Sequence, residues 1–126
     1  MATRWHIQRD AQALTLARIL PARFDVSAET VLPLADPLRL AHQIRQDMWR
    51  ALQRVRGFSP VVRLEHTGAA LQVTAGGRLA GRVPPNVPGV IADILSCPRN
   101  RARWERHANR SQHRFEKFDL KSESPS

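Results

Sequence analysis

Residues 36–77 read DPLRLAHQIRQDMWRALQRVRGFSPVVRLEHTGAALQVTAGG, and a change of period inside this stretch decides the fold class. Asp36-Pro37 is a helix start, because Asp is a preferred N-cap and Pro fits the first helical position. Ala41, Ile44, Met48, Ala51, Leu52 and Val55 then recur at helical spacing. Arg39, Gln43, Gln46, Arg50, Gln53 and Arg54 fall on the opposite side, and Gly57 is a natural stop. The pattern predicts a helix over 37–56.

Beyond Gly57 the period drops from 3.6 to 2. Val62, Leu64 and His66 alternate with Val61, Arg63 and Glu65, and Leu71 and Val73 alternate with Gln72 and Thr74. Gly76-Gly77 suits a tight two-residue turn, Arg78 to Val83 supplies a third short strand, and Pro84-Pro85 ends it. The expectation is a three-stranded antiparallel meander with one apolar face. Its polar face would show Arg63, Glu65, Gln72, Thr74, Arg78 and Arg82, with no aromatic on which a base stacks.

Outward from this stretch, Asn86 to Leu95 reads as a second helix through Val87, Val90, Ile91, Ile94 and Leu95. Ser96 is placed to cap a further helix, with Pro98 just inside it. Upstream, Asp10 to Leu20 reads as a short helix limited by Pro21, and Phe24 to Leu34 holds strand-forming residues. The chain, 126 residues long, fits one small α+β domain. Its parts are an N-terminal segment (1–35) packing on the core, an α-β-β-β-α core (36–97), a basic amphipathic helix or arm (98–119) and a disordered tail (120–126).

The core order resembles that of double-stranded RNA-binding domains over about residues 37–96. The resemblance implies contacts from the first helix, the first strand-to-strand loop and the start of the second helix. Here those places hold Arg39, Arg50 and Arg54, then His66-Thr67-Gly68, then Pro85-Asn86-Val87-Pro88. The last departs from the family, which carries a Lys pair there, and the likeness rests on element order alone.

The net charge of +9 is uneven. Residues 36–58 hold five Arg against two acids, and residues 99–126 hold six Arg and two Lys against four acids. Arg99, Arg103, Arg106, Arg110, Arg114, Lys117 and Lys121 are spaced 4, 3, 4, 4, 3 and 4 apart, which keeps them on one stripe of a helix. Trp104, Ala108, Ser111, Phe115 and Phe118 keep the same rhythm beside it. Guanidinium groups bind phosphate bidentately and stay charged, so the expected function is non-specific nucleic-acid binding, to RNA or DNA, through backbone phosphates. Arg99, Arg103, Arg106 and Arg110 are the expected contacts, with Arg50 and Arg54 behind them. Arg101 lies off the stripe.

The alternative is a protein-interaction or assembly adaptor. Its Trp104, Phe115 and Phe118 would dock an apolar groove while the arginines steer an acidic partner. A membrane surface is a third partner, disfavoured because the run lacks several Leu or Ile residues to insert. Since eighteen of the twenty basic residues are Arg, codon usage acting on an ordinary surface gives the same composition.

Little points to chemistry. Cys97 is alone, so it forms neither an intramolecular disulfide nor a thiol-pair metal site. The five histidines complete no ligand set at metal spacing. His42 and Asp47 diverge on their helix, no Gly-x-Ser-x-Gly elbow exists, and Gly76, Gly77 and Gly81 lack the ending of a phosphate loop. No catalytic residue, cofactor or small-molecule substrate is therefore expected. Without a signal-like apolar core or a run approaching ~18 apolar residues, the expected location is the cytoplasm.

Overall fold

The computed structural model describes residues 5–109. The element order is β1 (His6–Arg9), β2 (Ala13–Ala17), β3 (Val26–Pro33), α1 (Pro37–Leu52), β4 (Ser59–Thr67), β5 (Ala70–Arg78) and α2 (Val87–Ser96). A third helix, α3, follows over 98–109. The five strands form one antiparallel sheet in the order β1-β2-β4-β5-β3. The fold class is α+β, and the sheet has five strands instead of the three expected.

Three of the five strands, including both edges of the sheet, come from the N-terminal segment. Residues 13–17, Ala-Leu-Thr-Leu-Ala, form β2 and not part of a helix, because β4 offers them a partner along its length from Ala13↔Glu65 to Ala17↔Val61. Asp10 forms the turn that precedes β2, its carboxylate accepting from the Gln12 and Ala13 amides at 3.0 and 2.9 Å. These two bonds, the backbone amides first, hold the Asp10 pKa below its ordinary value. β3 lies where strand-forming residues were expected.

The helix predicted to end at 56 stops at Leu52. Asp36 caps it as expected, accepting from the Leu38 amide at 3.1 Å. Gly57 sits further on, at φ +72, inside the turn that leads to β4. The hairpin turn between β4 and β5 is Gly68-Ala69, with Gly68 at φ +71, the left-handed conformation that a primed turn demands of its first position. Gly76 and Gly77 lie inside β5, and no strand forms over 79–83. A Cβ on Gly76 would come within 1.9 Å of the Val26 carbonyl oxygen, and one on Gly77 within 2.2 Å of the Ser59 carbonyl oxygen. These glycines permit close backbone approach in the sheet, which is the other meaning of glycine in a strand. With two strands between α1 and α2, and three before α1, the element order of a double-stranded RNA-binding domain is not present.

The helices cover one sheet face. Leu14, Leu16, Leu32, Val62, Leu64, Leu71 and Val73 from the sheet pack with Leu40, Ile44, Met48 and Leu52 of α1, Ile91 and Leu95 of α2, and Trp104 and Ala108 of α3. The opposite face carries Arg63, Glu65, Gln72 and Thr74 as expected, laced by Arg63 to Glu65 at 3.4 Å and Gln72 to Glu29 at 3.0 Å. No described helix is long and apolar enough to cross a membrane.

Candidate nucleic-acid interface

The basic run enters helical geometry at Pro98. Cys97 is extended, and its carbonyl accepts the first helical bond from the Arg101 amide at 3.0 Å. Ser96, the expected cap, instead ends α2, its hydroxyl donating to the Asp93 carbonyl. Asn100 fixes the corner between the helices by donating to the Ile94 carbonyl at 3.1 Å.

From there α3 divides into an engaged face and an exposed one. Trp104 and Ala108, one turn apart, are both 0% exposed. The indole Nε1 of Trp104 donates to Asp47 Oδ2 on α1 at 2.7 Å, which satisfies the polar atom that burial would otherwise orphan. Arg103 donates to the same carboxylate oxygen and to Asn100 Oδ1. Arg101 donates to Thr30 Oγ1 at 2.7 Å, to the Val31 carbonyl at 2.7 Å and to the Leu95 carbonyl at 3.1 Å, tying α3 to β3 and α2. Arg99 and Arg106 are exposed.

The seam between α1 and α3 therefore centres on Asp47, whose side chain is 12% exposed. Arg50 approaches it from the next turn of α1, its Nη1 3.7 Å from Oδ1 and its side chain 72% exposed. Arg103 and Arg50, from segments far apart in sequence, thus meet at one carboxylate. Arg54 is exposed but lies in the turn after α1, so it does not extend the helical face as the predicted length required. Among the described residues no acid lies within salt-bridge distance of Arg54, Arg99 or Arg106.

Several expected residues fall elsewhere. Trp104, which the adaptor alternative would set against a partner, is core, and its burial removes it from any accessible aromatic seam. Arg110, Phe115 and Phe118 lie outside the described residues. In the sequence Asp47 stood out only as an ionisable residue that diverges from His42 on its helix. The signal that marks it is its position three residues before Arg50, a spacing that brings two side chains together on a helix. His66, at the end of β4, is exposed. Among the described residues no group of three His, Cys, Asp or Glu is placed to hold a metal ion.

No family model, curated protein or solved structure matches the chain.

Proposed function

We propose that the shoulder formed by α3 and the end of α1 binds the phosphate backbone of nucleic acid without reading its sequence. One observation carries this reading. Two arginines from different helices, Arg50 and Arg103, share the single carboxylate of Asp47, so the seam keeps an excess of positive charge. Exposed Arg99 and Arg106 on α3, and exposed Arg54 in the turn after α1, add positive charge. A clustered excess focuses a field that a scattered one does not. Arg103 supplies part of that field while bonded within the protein, and the direct phosphate contacts fall to Arg50, Arg54, Arg99 and Arg106.

The adaptor reading is the weaker of the two, since Trp104 is spent on the core and no exposed aromatic of α3 is described. The polar sheet face lacks aromatics, which fits backbone contact better than base stacking.

The test is fluorescence anisotropy of labelled RNA and DNA duplexes across a salt series. The protein is compared with a variant carrying R50A, R54A, R99A and R106A. Binding should weaken steeply with salt, and each lost phosphate contact should take about one from the log–log slope. Absence of binding at low salt, or a variant with an unchanged slope, would overturn the proposal.

A further inference from the structure

The two edges of the sheet differ. At β3 the outer strand packs with α2, and Arg101 of α3 bonds to both Thr30 and Val31. At β1 all four residues are exposed, and among the described residues β2 is its sole strand neighbour. An open edge presents backbone donors and acceptors to any extended chain that reaches it.

Side chains on the helix side of β1 add chemistry to that edge. Ile7 pairs with Leu16 and Arg9 with Leu14, so both share the face covered by the helices, as does Trp5 two residues earlier. Arg45 of α1 stacks on Trp5, its guanidinium carbon 4.6 Å from the ring centroid. Its Nη2 lies 3.2 Å from His42 Nδ1, one turn back on the same helix. Its Nε is buried with no hydrogen-bond partner, and among the described residues no acid lies within salt-bridge distance of it. Burial lowers the Arg45 pKa from its ordinary value, as expected of a cation held without a counter-charge. One turn further along α1, Trp49 is 42% exposed, the same as Ile7 on β1. A backbone edge, apolar Ile7 and Trp5, and a half-buried arginine with no acid beside it among the described residues thus occur together.

We propose that β1 and the Trp5–Arg45 stack dock an extended acidic segment of a partner protein, which joins the sheet as a sixth strand. Strand addition gives affinity through the backbone, and alternate side chains give specificity. Carboxylates at alternate positions on the helix side of the added strand would meet Arg9 at one end of β1 and Arg45, over Trp5, at the other, with an aliphatic stem covering Ile7 between them. Charge selects this occupant over a second copy of the chain. Residues 5–9 hold no acid, and two copies of β1 paired antiparallel would set His6 and Arg9 of each against the other's.

The probe is a fluorescein-labelled peptide of alternating Val and Glu, titrated into the full chain and read by anisotropy. Two control peptides have Lys in place of Glu, or N-methyl groups on alternate backbone amides. Both controls should bind at least about tenfold more weakly, and R45Q should cost a similar factor. R99A/R106A should bind the peptide like the parent, which separates this edge from the basic shoulder. A urea melt of R45Q checks its folding, and the N-methylated peptide tests strand addition with no variant at all. Equal binding of the N-methylated peptide, absence of binding of the Val-Glu peptide at millimolar concentration, or a concentration-dependent dimer that the peptide fails to disrupt would each overturn the proposal.

Discussion

On α3, Arg101 and Arg103 belong to the fold, whereas Arg99 and Arg106 belong to the surface. All four fall within eight residues, and all four carry the same guanidinium. The first two satisfy carbonyls and a carboxylate on β3, α2 and α1, and the last two face solvent. Helical spacing of charge therefore does not distinguish arginine that holds a helix down from arginine left to meet a polyanion. The acceptors within reach do: Thr30 and the Val31 and Leu95 carbonyls for Arg101, and Asp47 for Arg103.

The largest effect of substitution belongs to the engaged face of α3. W104A removes a fully buried indole and should cost about 3–5 kcal/mol in a urea melt. Retention of the parent midpoint would mean that α3 does not pack as described. D47A comes next. It leaves the Trp104 N–H buried without an acceptor and Arg103 without its acid, at a cost of about 1–3 kcal/mol. Because the same change unmasks Arg50 and Arg103, duplex affinity of the folded variant should rise as stability falls.

A second Arg–Asp contact sharpens the contrast with the Asp47 seam. Arg23 grips Asp25 with two bonds at 2.9 and 3.0 Å in a solvent-exposed setting, and the Leu79 amide donates to the same carboxylate at 2.8 Å. The Arg23 bonds, and then the Leu79 amide, hold the Asp25 pKa below 3.8. A carboxyl with a depressed folded pKa adds stability that is complete above the unfolded value and lost as pH falls through the folded one. Carbon NMR titration of Asp25 should give a midpoint below 3.8, moving upward in R23A while the urea midpoint at neutral pH changes little. The smallest effect on stability belongs to R99A/R106A, which should stay within about 0.5 kcal/mol of the parent.

The sequence made some of this architecture legible. α1 was readable because its cap, its Pro and its apolar period agree, and α2 because its apolar residues crowd a short span. The β4–β5 hairpin showed in the alternation of Val62, Leu64, Leu71 and Val73. β2 was not readable, since Ala-Leu-Thr-Leu-Ala contains good helix formers and becomes a strand through pairing with β4, a non-local contact. Gly76-Gly77 misled for a related reason. A glycine pair signals a turn locally, but here it answers the approach of Val26 and Ser59 from two other strands. At the candidate site, helical spacing put Arg99, Arg103 and Arg106 on one stripe without separating exposed Arg99 and Arg106 from engaged Arg103. The engagement of Arg101, Arg103 and Trp104 depended on where Asp47, Thr30 and Val31 lie in space.

The most direct measurement pairs a urea midpoint with a duplex Kd at low salt for R99A/R106A and for R101A. R99A/R106A should weaken duplex binding at an unchanged midpoint, while R101A should lower the midpoint and, where folded, bind within about threefold of the parent. The reverse pattern, with R99A/R106A unfolding the protein or R101A alone abolishing binding, would contradict the division of α3 into a holding face and a reading face.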